Sequence, residues 1–177
     1  SSLRVLLKLI LMDSKQTEIN KENCIPEWIT PDRTAAIIAS RFLFKGKPVT
    51  IFDFGTTLSV DFISSDGGYE KGFISPGCRT RFKSVNRYSK SLPLLDTPEI
   101  IPSEVTSLKE SIEAGVTLGI LFEIKGHLDA KPQNIVVFTG GDAIYFVNKL
   151  KNSIFVICNL VLMGLALVAE KYYESNL

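Results

Sequence analysis

Residues 49–75 decide the fold of this chain; they read VTIFDFGTTLSVDFISSDGGYEKGFIS. Three runs rich in β-branched and aromatic residues, Val49 to Phe54, Leu58 to Ile63 and Tyr69 to Ser75, are typical of strands. The first two are joined by Gly55-Thr56-Thr57, and the last two by Asp66-Gly67-Gly68. Because connections this short join antiparallel neighbours, the segment predicts a three-stranded antiparallel meander.

A helix is predicted just before the meander. Thr30 is placed to cap it, Pro31 suits its first position, and Asp32 favours its positive end. The preceding residues, 13–30, are polar and lack clear periodicity, so they predict a loop.

Helices and strands alternate after the meander. The pattern predicts helices over about 78–90 and 104–128, a buried strand from Ile135 to Phe138, a glycine turn, and a helix to about Lys151. A strand and a helix follow in the last apolar run. This order predicts an α/β fold with a mixed sheet, an antiparallel three-stranded meander and flanking helices.

Two apolar stretches raise the question of a membrane or a leader. The 17 residues from Ser153 to Ala169 carry no charge, but β-branched residues come first and leucines later, which favours a buried strand followed by a helix. Residues 3–12 are apolar, yet they contain Lys8 and no small-residue cleavage site, so we expect no signal peptide. We therefore expect no membrane association.

Charge and residue counts exclude several functions. The chain has 177 residues, with 20 Lys+Arg against 19 Asp+Glu, so nothing in its charge favours nucleic acid. Three widely spaced cysteines indicate neither a disulfide framework nor a zinc site, and a reducing cytoplasm is expected. The only histidine, His127, lies at the polar end of an apolar helical stretch, where we expect a solvent-facing or capping role.

The first candidate site lies at the end of the first predicted strand. Asp53 is followed by Gly55 and the hydroxyls of Thr56 and Thr57. A carboxylate can hold a cation, glycine admits close backbone approach, and hydroxyls and amides bind phosphate oxygens. The alternative is a plain turn with two strand hydroxyls.

Two further segments are candidate sites only if other functional residues lie close to them. Gly140 and Gly141 lie between a buried strand and a helix, where a nucleotide can rest against the backbone, or where the chain simply turns. Asp32-Arg33 is a charged pair at a helix start, which is either a solvated pair or a general base with its neighbour.

Taken in order, these pieces resemble the type III pantothenate kinases, a branch of the acetate and sugar kinase, heat-shock 70 and actin superfamily. The resemblance runs from about Thr30 to the C-terminus. Its matched segments are Asp32-Arg33; Asp53-Phe54-Gly55-Thr56-Thr57 with Asp61; Gly72-Phe73-Ile74-Ser75-Pro76-Gly77 with Ser91-Leu92-Pro93; and Thr139-Gly140-Gly141-Asp142-Ala143 with Leu162-Met163-Gly164-Leu165.

The resemblance implies a ribonuclease-H-like, actin-like ATPase fold and a homodimer. It implies transfer of the γ-phosphoryl group of ATP to pantothenate, the first step of coenzyme A synthesis, with Mg²⁺ or another divalent cation and with K⁺ or NH₄⁺. It also divides the chain into residues 1–30, a remnant of the first subdomain and a loop, and residues 31–177, the C-terminal kinase subdomain.

The same resemblance assigns roles to individual residues. Asp32 matches the catalytic acid that takes the hydroxyl proton, and Asp53 matches the monovalent-cation ligand. The remaining matches are Thr30, Pro31 and Arg33 to the substrate-binding segment, and Gly55, Thr56, Thr57, Gly140 and Gly141 to the ATP site. The alternative is a non-catalytic relative that keeps the fold as a dimerising or regulatory accessory module.

Overall fold

A five-stranded mixed sheet forms the centre of the computed structural model, which describes residues 15–175, with side chains to residue 172. The strands are β1 (Val49–Phe54), β2 (Thr57–Ile63), β3 (Tyr69–Pro76), β4 (Ile135–Gly140) and β5 (Phe155–Val156). Their order is β3-β2-β1-β4-β5. Strands β1, β2 and β3 are antiparallel neighbours, whereas β4 runs parallel to β1 and β5 runs parallel to β4. The predicted meander and the predicted mixed sheet are confirmed.

Both turns of the meander are closed by their own backbone. Gly55 N–H donates to the carbonyl of Thr57 at 2.9 Å, and Ser64 N–H donates to the carbonyl of Gly68 at 2.9 Å. In addition, the Asp66 carboxylate accepts from Gly68 N–H at 3.0 Å. These local contacts set the register of the three strands without help from distant residues.

Helices cover both faces of the sheet. They are α1 (15–22), α2 (Pro31–Leu43), α3 (Cys78–Tyr88), α4 (Leu108–Ala130), α5 (Ala143–Val147) and α6 (Leu160–Ser175). The strand and helix expected between residues 153 and 169 are β5 and α6, so that prediction is confirmed. Within residues 15–175, no helix is both long and apolar enough to cross a bilayer.

Helix α1 contradicts the loop expected over residues 13–30 at residues 15–22, whereas residues 23–30 are turns and irregular structure as expected. This helix has no clear apolar periodicity, because polar side chains stabilise it. Asn20 is buried, and its Nδ2 donates to the carbonyls of Pro26 at 3.0 Å and Ile29 at 3.2 Å. Thr34 Oγ1 donates to Asn20 Oδ1 at 2.7 Å, which ties α1 to α2. Residues 13 and 14, like the apolar stretch expected to lack a signal peptide, lie outside the described residues.

Three smaller expectations need correction. Thr30 occupies the position before α2, and Pro31 is its first residue, but the Thr30 side chain makes no capping hydrogen bond. Helix α5 ends at Val147 rather than near Lys151, because the chain turns there with Lys149 N–H bonded to the carbonyl of Phe146. His127 is neither solvent-facing nor a cap: its half-buried ring packs against aromatic rings, with Phe73 at 5.0 Å between centroids.

The two faces of the sheet differ in chemistry. Helices α3, α4 and α5 cover an aromatic core that includes Phe52, Phe54, Phe62, Phe138 and Phe146. The opposite face packs aliphatic residues such as Val49 and Ile51 against α2. Helix α2 packs on this aliphatic face, and Arg33 in its first turn contacts Asp61 of β2.

Candidate functional site

Polar residues gather on the α2 face at the carboxyl end of β1. Asp53 pairs with Ser59 of β2 and with Thr139 of β4, while Asp61 pairs with Ile51. Directly opposite residues of neighbouring strands share a face, so these polar side chains continue the row that begins with Val49 and Ile51. Ser59, Asp61 and Thr139 are all buried. This face is thus aliphatic at one end and polar at the other.

The carboxylate of Asp53 carries the clearest electrostatic signature. Burial, together with smaller contributions from the charges of Asp32 and Asp61, raises the pKa of Asp53 to about 6. Asp32 itself is exposed in the first turn of α2. The charge of Asp32 thus acts on the Asp53 carboxylate from the first turn of α2.

Gly140 completes the wall beside Asp53. It has a φ of +88°, and a Cβ at this position would lie 2.5 Å from both Asp53 Oδ1 and the carbonyl oxygen of Phe54. Only glycine allows strand β4 to end here against the carboxylate. Gly140 therefore belongs to the same site as Asp32 and Asp53.

A cavity of about 370 Å³ opens beside the Gly55–Thr56 turn. It is lined by Phe54, Gly55, Thr56, Arg79, Thr80, Lys83, Gly141 and Asp142. Three predicted nucleotide residues, Gly55, Thr56 and Gly141, therefore face one space. Thr57 is exposed at the start of β2 and does not line it.

Helix α3 is fastened to this turn. Gly77 N–H and Thr80 Oγ1 both donate to the carbonyl of Thr56, at 3.0 and 2.7 Å. A Cβ on Gly77 would lie 2.1 Å from the carbonyl oxygen of Gly55, so only glycine admits this approach. The first turns of α3 consequently form a second wall of the cavity.

Arg33 is held inside the protein by a buried ion pair. Its Nε and Nη2 donate to the two oxygens of Asp61 at 3.0 and 2.5 Å, and Tyr69 OH donates to Asp61 Oδ1 at 3.1 Å. Arg33 is 3% exposed and Asp61 is 2% exposed. Burial opposes the charge of Arg33, but the hydrogen bond and charge of Asp61 leave its pKa above the ordinary value.

Three neighbours complete the setting of this ion pair. The ring of Trp28 lies 5.5 Å from the Arg33 guanidinium carbon, and 6.0 Å from the Tyr69 ring, centroid to centroid. A Cβ on Gly72 would lie 2.4 Å from Arg33 Nη2, Asp61 Oδ1 and Tyr69 OH alike. Arg33 Nη1 is buried and has no hydrogen-bond partner among residues 15–172. The role of Arg33 toward a substrate stays a prediction, as do those of Thr30 and Pro31 beside it.

The donor set suits a cation that shares its ligands with a phosphate. No group of three or more His, Cys, Asp or Glu side chains converges within the described part of the chain. Asp53 and Asp32 instead offer two carboxylates that repel each other, which a cation relieves. Mg²⁺ in proteins is commonly held by one or two carboxylates together with substrate phosphates.

Sequence reasoning missed several residues of this region. Asp61 was noticed only as part of a motif, and its partner Arg33 lies 28 residues away. Arg79 and Lys83 are not among the predicted site residues. Their spacing of four on a predicted helix after Pro76-Gly77 nevertheless indicates that both side chains share one face of that helix. Trp28 and Tyr69 offered no local signal, because only the crossing of α2 brings them together.

Most of this chain is similar to type III pantothenate kinases. The family model of type III pantothenate kinase matches residues 4–130. The type III pantothenate kinase of Phocaeicola vulgatus is 41% identical over 144 residues, which cover 79% of this chain and 60% of that protein. The enzyme of Christiangramia forsetii is 36% identical over 167 residues, covering 92% of this chain and 68% of the relative. The chain thus spans about three fifths of the length of most of these curated relatives.

Solved structures support the actin-like fold. A protein described as a Baf family transcriptional activator, from Campylobacter jejuni, superposes with a TM-score of 0.63 at 25% identity, covering 85% of this chain and 67% of that one. The activator of 2-hydroxyisocaproyl-CoA dehydratase from Clostridium difficile, solved with bound ADPNP, superposes with a TM-score of 0.52 at 18% identity, covering 82% and 68%. The second likeness concerns the fold alone. Because the family model matches residues 4–130, which are most of this chain, the chain belongs to the type III pantothenate kinase family.

Proposed function

We propose that the protein transfers the γ-phosphoryl group of ATP to the primary hydroxyl group of pantothenate in the cytoplasm. The observation that carries this proposal is the partly buried carboxylate of Asp53, which lies against Gly140 at the end of β1 and feels the charge of Asp32. Phosphoryl transfer needs positioned groups, charge neutralisation and one base more than it needs covalent chemistry. In this proposal Asp32 is the base and Asp53 holds the neutralising cation.

Asp32 is the general base in this proposal. It is exposed in the first turn of α2, where a hydroxyl group can approach it. Its carboxylate accepts the proton of the attacking hydroxyl group as the new oxygen–phosphorus bond forms, while the bond from the γ-phosphorus to the bridging oxygen breaks and ADP leaves with that oxygen. The neighbouring residues Thr30 and Pro31 shape the entrance on the same side.

Asp53 and the glycine turns serve the nucleotide side. Asp53 has a fixed place at the end of β1, and its half-buried carboxylate favours a cation because burial makes an unpaired charge costly. Gly55, Thr56 and Gly141, which line the cavity, present backbone and hydroxyl groups to phosphate oxygens, whereas Thr57 lies outside it. A bound divalent cation, with K⁺ or NH₄⁺ beside it, supplies the positive charge that phosphoryl transfer requires.

A homodimer is part of the proposal. The resemblance to the family implies it, and β3 supports it because this edge strand leaves Phe73 45% exposed and Ile74 56% exposed. Edge strands with apolar side chains favour pairing with another chain. Sedimentation equilibrium at tens of micromolar tests this assembly, and a monomer throughout that range contradicts it.

The activity is tested with the protein as expressed from its own gene, by coupled detection of ADP with and without pantothenate and with K⁺ or NH₄⁺. Asp32→Asn is expected to lower kcat by about 10²- to 10⁴-fold with little change in ATP binding. Asp53→Asn is expected to raise the KM for ATP and to change the response to monovalent cations. The exposed Asp129 of α4 gives the matched control, Asp129→Asn, which should leave both constants unchanged.

Absence of pantothenate-dependent ADP formation in the unvaried protein contradicts the kinase proposal and leaves the accessory module as the function. Equal rates in the unvaried protein and in both site variants contradict the roles of Asp32 and Asp53.

A further inference from the structure

Two basic residues on α3 line the cavity at the Gly55–Thr56 turn. Arg79 and Lys83 are exposed, and both contribute to the wall of this space of about 370 Å³. They are four residues apart on one helix, so their side chains share a face. The cavity thus has two basic residues along α3, and its remaining lining includes the glycines, Thr56 and one acidic residue, Asp142.

Neither cation has a partner in the part of the chain that the structure describes. Among residues 15–172, Arg79 and Lys83 form no salt bridge, hydrogen bond or ring contact. The acidic residue across the cavity is not their partner either, since burial alone raises the pKa of Asp142 and no cation opposes that shift. By contrast Arg81, on another face of the same helix, pairs with Glu123.

Their placement costs the helix stability. Like charges four residues apart destabilise a helix, and a cation in the first turn opposes the helix dipole. Arg79 is the second residue of α3, and the first turn contains no acidic residue to offset it. A polyanion in the cavity removes both penalties.

The position of this pair relative to the turn is fixed. Thr80, between the two cations, donates to the carbonyl of Thr56 at 2.7 Å, and Gly77 N–H donates to the same oxygen at 3.0 Å. The carbonyl of Gly55 leaves no space for a Cβ on Gly77. Helix α3 therefore cannot move its cations away from the turn without breaking these contacts.

We propose that Arg79 and Lys83 bind the phosphate chain of the nucleotide in the cavity beside the Gly55–Thr56 turn. The assignment of the phosphates to a nucleotide rests on the proposed function, whereas recognition of a polyphosphate follows from the cavity and its charges. Guanidinium groups bind phosphate oxygens in a bidentate manner, and an ammonium group adds a mobile charge. These two residues thereby add a positive wall to a turn made otherwise of neutral groups.

Binding of inorganic triphosphate tests the proposal, measured by isothermal titration on the full protein. Arg79→Gln and Lys83→Gln are each expected to weaken binding about tenfold, and the double variant about a hundredfold, equivalent to about 1.4 kcal/mol for each charge. Arg87→Gln is the matched control, because Arg87 lies on the same face of α3 one turn beyond Lys83 and outside the cavity. Unchanged circular dichroism spectra confirm that these exposed substitutions leave the fold intact.

The comparison of ligands separates this proposal from the kinase proposal. Adenosine should bind equally to the unvaried protein and the double variant, and the KM for pantothenate should not change, while the KM for ATP rises. Loss of triphosphate binding in the double variant supports the proposal even where no pantothenate is phosphorylated. Triphosphate binding equal in all variants, absent from the unvaried protein, or weakened equally by Arg87→Gln overturns it.

Discussion

Replacing Asp61 by asparagine should destabilise the protein more than its small change of shape suggests. Asp61 accepts hydrogen bonds from Arg33 Nε, Arg33 Nη2 and Tyr69 OH. In Asp61→Asn the negative charge is lost, and an NH₂ group replaces one acceptor in front of the Arg33 donors. Removing one partner of a buried ion pair costs about 3–5 kcal/mol, because the remaining charge is buried without compensation.

That cost is large relative to the whole stability. Domains of this size unfold with about 5–15 kcal/mol, and each kcal/mol shifts the Tm by about 2–4 °C, so the Tm should fall by about 6–20 °C. Urea unfolding and calorimetry measure the two quantities. Asp129→Asn, an exposed substitution of the same kind on α4, should stay within about 0.5 kcal/mol of the unvaried protein.

A double variant separates charge from shape. Arg33→Met combined with Asp61→Leu removes both charges and replaces them with apolar side chains, which is commonly neutral or stabilising at buried ion pairs. The double variant should therefore be more stable than Asp61→Asn. A loss below about 1 kcal/mol in Asp61→Asn would refute the reasoning, because it would mean that Arg33 finds another partner or water at no cost.

Three further predictions follow from the polar end of the sheet. Because the folded-state pKa of Asp53 is about 6, above the ordinary 3.8, the folded protein keeps a proton that the unfolded chain has released, and its stability falls as the pH rises between these values. The free energy of unfolding of Asp53→Asn, measured in urea, should therefore exceed that of the unvaried protein by about 1–3 kcal/mol, and the difference should grow from pH 4 to pH 7. An equal pH dependence in the two proteins contradicts this. Asp32→Asn should lower the pKa of Asp53, measured by NMR titration of its carboxyl carbon. An unchanged pKa would show that the charge of Asp32 does not act on Asp53. Gly72→Ala should cost about 1–3 kcal/mol through crowding of Arg33, Asp61 and Tyr69, whereas Gly115→Ala on α4, where a Cβ meets nothing within 4 Å, should be neutral or stabilising in thermal unfolding.

The sheet could be predicted from sequence because its signals are local. The turns at Gly55 and at Asp66-Gly67 lie within a few residues of the strands that they join, and the alternation of strands and helices then implies the mixed sheet. Helix α1 could not be predicted in this way. Its stability depends on Asn20, a polar residue buried by contacts with Pro26, Ile29 and Thr34, which no hydrophobic period reveals.

The candidate site divides along the same line. Asp32, Asp53 and Gly140 come from motifs at the ends of predicted elements, so the sequence marks them as candidates, and the pairing of β1 with β4 places Gly140 beside Asp53. The Arg33–Asp61 ion pair joins α2 to β2, and it depends on how the helix crosses the sheet. His127 illustrates the same limit, since its aromatic neighbours Phe52, Phe62 and Phe73 come from three different strands.

The crowding at Gly72 also constrains how this sequence can evolve. While Arg33 and Asp61 remain paired, a side chain at position 72 has no space, so nearly every substitution there is selected against. A lineage that first replaces the charged pair and Tyr69 with smaller residues removes that barrier, and position 72 becomes free to vary. Positions 33, 61, 69 and 72 therefore form an epistatic set, in which a substitution at position 72 is tolerated only after the other three residues have changed.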